Sequence, residues 1–298
     1  MSYHNPVMLK ESVDGLLIKE DGVYVDVTFG GGGHSREILK RLGKNGRLLA
    51  FDQDEDALEN SIADDRFQLI NENFRYIRQF LKFYGIRKVD GILADFGVSS
   101  HQFDKAERGF STRFDAALDM RMSKKGSLTA YKVVNTYDYD ALRSVLFHYG
   151  DLRNANAMAK TLMVARESEP IKTTAQLKQV LVSFLPKFKE QKILAQIYQA
   201  VRIEVNQEIE VIKEFLLQTP ELLNPKGRLS VISYHSLEDR LVKRFIRAGS
   251  FEGEPEKDFY GNVTLPLKKV GGLIVPSKEE IKRNSRARSA KLRIAEKI

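Results

Sequence analysis

The stretch Val23-Tyr24-Val25-Asp26-Val27-Thr28-Phe29-Gly30-Gly31-Gly32-Gly33-His34-Ser35 decides the fold of this 298-residue chain. Valine alternates with other residues at its start, a pattern that predicts a buried strand. Four consecutive glycines follow, so the backbone can turn sharply and no Cβ separates it from a ligand. Residues 35–42 then carry apolar side chains at helical spacing, which predicts a helix whose unpaired N–H groups face the same turn. This order of elements is typical of a nucleotide-type site.

A second predicted strand, which ends in an acid, supports this interpretation. Residues 46–52 are apolar apart from their ends, and Asp52 lies 22 residues after Gly30. A carboxylate at this position accepts hydrogen bonds from the ribose of a nucleotide that lies across the first strand-to-helix turn. The two signals together predict a nucleoside cofactor without specifying which one.

Composition limits the class of protein. The chain has no cysteine, which excludes disulfides, thiolate metal sites and cysteine nucleophiles and fits a reducing cytoplasm. No signal-peptide pattern and no apolar run of membrane-spanning length is present, so we expect a soluble, cytoplasmic protein with no membrane partner. The five histidines lack metal-ligand spacing, so we expect no metal. A net charge of +8 favours a polyanionic partner, nucleic acid foremost.

The hydrophobic pattern divides the chain into an α/β part and a helical part. Apolar strands alternate with helical patterns in the first third, with strands near 23–29, 47–52, 67–71 and 89–95 and helices from 35, from 54 and near 75–84. Such alternation predicts parallel strands joined by helices. The strand pattern resumes at 228–233, a helix follows from 236, and 289–298 predicts a closing strand. Residues 249–276 show no clear period.

Residues 127–218 show helical spacing only, which predicts an all-α insertion. One apolar stripe runs from Ile193 to Leu216 and predicts a single long helix. We therefore expect an α/β domain in two parts, 1–110 and 219–298, interrupted by a helical insertion at 111–218.

In an open parallel sheet, ligands lie beyond the carboxyl ends of the strands. The glycine run, Asp52, Asn73-Phe74 and Asp95 should therefore converge on one crevice. Phe74 is placed to stack on an adenine, and Asp95 brings a carboxylate to the mouth of the fourth strand.

Six blocks of sequence then point to a family. They are Thr28-Phe29-Gly30-Gly31-Gly32-Gly33-His34-Ser35, Asp95-Phe96-Gly97-Val98-Ser99-Ser100-His101-Gln102, Glu107-Arg108-Gly109-Phe110-Ser111, Leu118-Asp119-Met120-Arg121-Met122, Gln199-Ala200-Val201-Arg202-Ile203-Glu204-Val205-Asn206 and Ser233-Tyr234-His235-Ser236-Leu237-Glu238-Asp239-Arg240. In this order they resemble the MraW (RsmH) family of bacterial methyltransferases, which act on N4 of a cytidine in 16S ribosomal RNA. The similarity runs from His4 to Ser289.

The resemblance implies an S-adenosylmethionine-dependent rRNA (cytosine-N4)-methyltransferase acting on the small ribosomal subunit. It implies a class I methyltransferase fold, a Rossmann-like doubly wound α/β sheet formed by 1–110 and 219–298, with an all-α insertion at 111–218 that recognises the substrate. The cofactor-binding residues that it implies are Gly32, Gly33, His34, Asp52, Phe74, Asp95 and Gln102. The chain departs from the family at His101, where proline is usual, and at Tyr234, where phenylalanine is usual.

The residue types also constrain the chemistry. Methylation at C5 of a pyrimidine ordinarily needs a cysteine nucleophile, which this chain lacks. An exocyclic amine needs only orientation and a group that accepts the developing positive charge or the proton. Asp95 is the predicted catalytic residue, either as such an acceptor or as a ligand of the cofactor's amine.

Basic side chains are the predicted RNA contacts. They are Arg108 and Arg121 in the loop 96–122 and Arg286 and Arg288 in the tail. A phosphate-tracking surface predicts an RNA affinity that falls steeply with salt. The sequence leaves a homodimer open.

Two alternatives remain at this point. An NAD-type dinucleotide oxidoreductase would also use a glycine turn and Asp52, but the fingerprint Gly-x-Gly-x-x-Gly is broken at Ser35. A non-catalytic RNA-binding assembly protein could keep a relic pocket, although intact blocks at all the strand ends argue against decay.

Overall fold

A computed structural model describes residues 6–253 and 265–298. The chain forms two compact units, the first made of Met1–Gly97 with Ile209–Ile298 and the second of Val98–Glu208. His4, where the family resemblance begins, lies outside the described residues. Within the described ranges, no helix is both long and apolar enough to cross a membrane.

The first unit is built on a seven-stranded sheet in the order β3-β2-β1-β4-β5-β7-β6. Its strands are β1 (Val23–Asp26), β2 (Arg47–Phe51), β3 (Phe67–Ile70), β4 (Val89–Asp95), β5 (Leu223–Ser233), β6 (Leu267–Ile274) and β7 (Lys291–Lys297). Strands β1 to β5 pair in parallel, and β7 is antiparallel to both of its neighbours. The strand order reverses between β1 and β4, which is where an open α/β sheet binds its ligand.

The helices complete both units. In chain order they are α1 (Leu9–Asp14), α2 (Gly33–Arg41), α3 (Ile77–Phe83), α4 (Ser100–Asp104), α5 (Ala130–Thr136), α6 (Tyr139–Gly150), α7 (Ala155–Ser168), α8 (Thr174–Val180), α9 (Glu190–Asn206), α10 (Glu208–Leu222), α11 (Ser236–Ala248) and α12 (Lys278–Arg283). Short 3-10 helices add Glu55–Asn60, Phe74–Tyr76, Ala106–Arg108, Val182–Phe184 and Ser285–Ser289.

The second unit is helical and has its own core. Leu142, Met158, Leu177 and Ile197, from the four successive helices α6 to α9, belong to one buried cluster. Its only described β contact is an isolated antiparallel bridge between Ala117 and Thr173. The predicted Rossmann-like doubly wound sheet with an all-α insertion is thus confirmed.

The unit boundaries differ from the predicted 110/111 and 218/219, because they fall at 97/98 and 208/209. Phe110 lies in the core of the helical unit, whereas Phe215 and Leu216 of α10 lie in the core beneath the sheet. Helical spacing identifies a helix but not the core on which it packs, so the pattern assigned α10 to the wrong unit.

The predicted single stripe from Ile193 to Leu216 also belongs to two helices. Gln207 adopts a left-handed conformation with φ of 50° and separates α9 from α10. The apolar spacing continues across this break, which is why periodicity alone predicted one helix.

Three further elements differ from the predictions. The helix expected from residue 54 is the 3-10 helix Glu55–Asn60. Strand β5 begins at Leu223, before the predicted 228–233, and contains a bulge where the register with β4 shifts from Val89↔Leu223 to Gly91↔Arg228. Strand β6 lies in the segment without clear period, and its register with β7 shifts between Val270 and Ile274.

Candidate active site

The glycine run forms a turn at the carboxyl end of β1. Gly30 and Gly32 have backbone φ angles of 52° and 74°, which residues other than glycine rarely adopt. The amide of Gly30 donates to Oδ2 of Asp52 at 2.7 Å, and its carbonyl accepts from Nδ2 of Asn60 at 3.1 Å. Arg36 donates from Nη1 to the carbonyl of Gly31 at 2.8 Å. These bonds fix the turn in one conformation.

The two predicted cofactor-binding glycines begin helix α2. A Cβ on Gly32 would overlap Arg36 and the ring of Phe29, and a Cβ on Gly33 would overlap the ring of Pro6. The turn therefore needs glycine for close packing as well as for its dihedral angles. It leads directly into the first turn of α2, whose N–H groups suit a polar or anionic ligand group.

Asp52 follows β2 and is partly buried. Its oxygens accept from the amides of Gly30 at 2.7 Å and Asp54 at 2.9 Å. Burial raises the pKa of Asp52 to about 6, because the ionised carboxylate loses hydration that the two amides only partly replace. Donors such as ribose hydroxyls would stabilise the ionised form, which is the chemistry predicted for this residue.

Phe74 begins the 3-10 helix after β3 and is only partly buried. Its ring stacks on Phe96 with centroids 5.9 Å apart and meets the edge of Phe215 at 5.3 Å. Packing thus accounts for one side of the ring, and its exposed part remains available for a base.

Asp95 ends β4 and lies between two side chains. Oδ1 accepts from the hydroxyl of Tyr234 at 2.7 Å, and Oδ2 lies 3.9 Å from Nδ1 of His34. The side chains of His34 and Asp95 are 6% and 22% exposed, so the histidine is enclosed while the carboxylate can be reached. Burial raises the pKa of Asp95 to about 6, and His34 and Tyr234 oppose this increase.

His34 is held at its other ring nitrogen, because Nε2 donates to the carbonyl of Val7 at 3.1 Å. This bond fixes the ring plane. His34 lies on α2 immediately after the glycine turn, so it joins that turn to the carboxylate of Asp95.

Asp26 is a residue of this site that the sequence analysis missed as a functional candidate. It is fully buried, accepts from Ser35 Oγ at 2.6 Å and from the amide of Thr28 at 3.1 Å, and burial raises its pKa. Thr28 Oγ1 in turn accepts from the amide of Asp95 at 2.7 Å. The sequence signal that could have identified Asp26 is an acidic residue within the otherwise apolar segment 23–29.

Gln102, the remaining predicted cofactor-binding residue, belongs to the second unit. It is buried, and its Oε1 accepts from the amide of Ser99 at 3.1 Å while Ser99 Oγ accepts from the amide of Gln102 at 3.2 Å. This capping box begins α4, so the side-chain oxygen of Gln102 has a structural task. Its cofactor contact stays a prediction.

Two predicted RNA contacts in the second unit have structural partners. Arg108 is buried and donates from Nη2 to the carbonyls of Arg121 at 2.9 Å and Met122 at 3.0 Å. Arg121 pairs with Asp119 at 2.7 Å and donates to two backbone carbonyls. These guanidinium groups hold the loop together, and their charge is not displayed as a free surface charge.

The other two predicted RNA contacts lie in the 3-10 helix Ser285–Ser289, which leads into β7. Lys291, the first residue of β7, pairs with Ser233 at the carboxyl end of β5. This segment therefore lies at the edge of the sheet that carries the glycine turn and Asp95. Arg286 is partly buried and Arg288 is exposed.

Polar residues of α9 are also structural. Gln199 donates to the carbonyl of Tyr149, Arg202 makes two bonds to Glu208 at 2.8 and 2.9 Å, and Asn206 accepts from the amide of Met122. They tie the end of α9 to neighbouring segments of the second unit.

Comparison with known proteins identifies the family. The profile of the MraW methylase family matches residues 1–298. The chain belongs to the MraW methylase family. It is 69% identical over 298 residues to the ribosomal RNA small subunit methyltransferase H of Christiangramia forsetii, covering 100% of this chain and 99% of that protein. The protein of the same name from Flavobacterium johnsoniae is also 69% identical, with the same coverage.

A more distant relative from Bacteroides thetaiotaomicron, also named ribosomal RNA small subunit methyltransferase H, is 54% identical over 298 residues and is covered to 98%. Among solved structures, an rRNA methylase from Streptococcus thermophilus aligns over 100% of this chain and 99% of its own, with a TM-score of 0.44 and 12% identity. At that score the likeness adds nothing to the assignment. Membership in a methylase family leaves the oxidoreductase alternative without support.

The residues present fit S-adenosylmethionine, the cofactor of a methylase with this fold. The glycine turn admits a ligand against the backbone, and Asp52 and Phe74 offer a carboxylate and an aromatic face for a nucleoside. Asp95 offers a second, partly exposed carboxylate on the neighbouring strand. The donors and acceptors thus match an adenosyl group linked to a charged amino acid.

Proposed function

We propose that this chain transfers the methyl group of S-adenosylmethionine to the exocyclic N4 amine of a specific cytidine in the 16S rRNA of the small ribosomal subunit. The name of its relatives supports small-subunit rRNA as the substrate. The observation that carries the proposal is the carboxylate of Asp95, reachable and placed on the strand next to the glycine turn. From a substrate of this kind we infer a cytoplasmic location.

The residues suit methylation of an amine. S-adenosylmethionine supplies a methyl group on a positively charged sulfur, so the protein needs no metal or covalent nucleophile for this step. The lone pair of cytosine N4 is delocalised into the ring, so the protein has to orient the amine and stabilise the positive charge that develops on it. Asp95 can accept a proton there, because a pKa of about 6 leaves it ionised at neutral pH.

The RNA has to present an unpaired base, since the amine of a stacked and paired cytosine is out of reach. The segment with Arg286 and Arg288 flanks the carboxyl edge of the sheet and is our candidate for phosphate contacts. The helical unit, which has its own core, is the candidate for recognising the surrounding RNA.

Incubation of unmodified small ribosomal subunits with labelled S-adenosylmethionine, followed by nucleoside analysis, tests the reaction. We expect labelled N4-methylcytidine. Label in another nucleoside would overturn the specificity, and no transfer would favour the RNA-binding assembly protein instead.

Replacement of Asp95 tests the mechanism. Asp95→Asn should lower kcat by about a hundredfold or more, because asparagine cannot accept the proton. Asp90→Asn is the matched control, since Asp90 lies on the same strand but accepts from Lys19 and the amide of Val23 at the opposite end. Calorimetry with S-adenosylmethionine separates a loss of cofactor affinity from a loss of turnover. Retention of both by Asp95→Asn would refute the role of Asp95.

A further inference from the structure

Tyr234 brings a hydroxyl group to the carboxylate of Asp95. Tyr234 follows the last residue of β5, and β5 pairs with β4 so that Asp95 lies opposite Ile232. The phenol donates to Oδ1 of Asp95 at 2.7 Å, across 139 residues of sequence. Members of the MraW family usually have phenylalanine at this position, so the hydroxyl distinguishes this chain from most of its family.

The position of the phenol is fixed from several sides. The amide of Tyr234 donates to Oε2 of Glu238 at 2.8 Å, within the capping box that begins α11. The ring packs against a buried cluster that includes Met8 and Leu292. On another side lies Gly97, with φ of 102°, where an added Cβ would be 3.6 Å from the ring. These contacts hold the ring so that its hydroxyl lies within hydrogen-bond distance of Asp95.

We propose that Tyr234 is a positioning residue, whose hydroxyl holds Oδ1 of Asp95 so that Oδ2 is presented to the reacting amine. The inference rests on the proposed function. In the reaction the bond from N4 to the methyl carbon forms, the carbon–sulfur bond breaks with its electron pair left on sulfur, and one amine proton passes to Oδ2. The phenolic proton stays on Tyr234 throughout, and Asp95 later releases its proton to solvent.

Four ionisable groups act on Asp95, each from a different element. His34 on α2 and Tyr234 after β5 lower its pKa, whereas Asp26 on β1 and Glu238 on α11 raise it. Burial and the negative charge of Asp95 keep the pKa of Tyr234 well above its usual value, so the phenol remains a donor. A hydrogen bond to the charged form of an acid favours ionisation. Removing the hydroxyl should therefore make Asp95 harder to ionise.

Tyr234→Phe tests this role and keeps the aromatic ring. The acidic limb of the kcat–pH profile should move to higher pH by roughly one pH unit in the variant, because the ionised form of Asp95 loses a hydrogen bond. At about pH 8.5, where Asp95 is ionised in both proteins, kcat of the variant should still be several-fold lower, because Oδ1 is no longer held and Oδ2 is less well oriented. A merely structural role would lower kcat at every pH and leave the limb in place.

Tyr137→Phe is the matched control. Tyr137 donates to Oε1 of Glu204 at 2.7 Å in the helical unit, a bond of the same kind and length, and its loss should not move the limb. An unmoved limb in Tyr234→Phe would overturn the assignment of Tyr234 while leaving the proposed function intact, provided that Asp95→Asn shows its expected loss of turnover. If Asp95→Asn keeps the full rate, the proposed role of Asp95 itself fails, and the two failures are distinguishable.

Discussion

At the scale of single residues, the ionisation of Asp52 should control cofactor binding. Its ionised carboxylate accepts stronger hydrogen bonds from ribose hydroxyls than the protonated form does, and its pKa is raised to about 6. Acidification protonates Asp52 and weakens these bonds. We expect the affinity for S-adenosylmethionine, measured by calorimetry, to fall roughly tenfold between about pH 7.5 and about pH 5.

The variant Asp52→Asn separates this effect from the titration of Asp95, whose pKa is similar. It should bind the cofactor more weakly at neutral pH, and its affinity should change less on acidification. An Asp52→Asn protein whose affinity has the same magnitude and pH dependence as the unmodified chain would contradict the role of Asp52.

Residues of the site differ in how far they could be predicted from sequence. The glycine turn, Asp52 and Asp95 follow strands directly, and the rule for strand ends places them at one edge. Arg108 shows the limit of such reasoning, because an arginine in a loop resembles a surface charge until tertiary packing buries it. The contact between Tyr234 and Asp95 depends on the register of β4 and β5, which no local pattern encodes.

At the scale of elements, the end of α6 offers a test of helix termination. Asp151 caps this helix in a left-handed conformation with φ of 52°, and its charge lies at the negative end of the helix dipole. Asp151→Gly removes the strain of the left-handed conformation and the unfavourable charge, and it should raise the free energy of unfolding by about 1 kcal/mol. Urea denaturation measures the change.

Asp151→Asn is the control for charge, since asparagine also tolerates this conformation. It should give a smaller gain than Asp151→Gly. A glycine variant less stable than the unmodified protein would show that the left-handed cap is not strained.

Element prediction succeeded where periodicity and burial agree. Strands β1, β2 and β4 are short, apolar and buried, and they lie where the alternation predicted. The break at Gln207 was invisible, because the apolar spacing continues through it although the helices on either side face different cores. Strand β6 was missed because it is mostly exposed and contains two glycines.

At the scale of the whole molecule, the net charge of +8 should make RNA binding sensitive to salt. Each phosphate contact releases counterions, so the affinity for small-subunit rRNA should fall steeply as salt rises. Arg288→Ala should weaken binding and reduce the slope of log affinity against log salt by about one. Filter binding over a salt series measures both quantities.

Lys44→Ala is the charge-matched control. Lys44 is exposed but precedes β2, at the edge of the sheet opposite the glycine turn, and its loss should leave the slope unchanged. Equal slopes for the unmodified chain, Arg288→Ala and Lys44→Ala would rule out the tail as a phosphate contact.

The sequence predicts that the chain has an α/β unit and a helical unit, but it does not predict the residues at which one unit ends and the other begins. A switch from alternating strands to helical spacing is a property of the sequence, whereas the boundary depends on which core each helix joins. Phe110 and Phe215 decide that question through packing between distant segments.

The irregular strand β6 has a consequence for self-association. As an outer strand it leaves backbone groups unpaired, and such an edge is a template for fibril growth. The register shift after Val270, the left-handed Gly271 and the exposed Lys268 and Lys269 interrupt that template. Two copies that paired through β6 would bring these lysines together, so the edge disfavours a homodimer built by extension of the sheet.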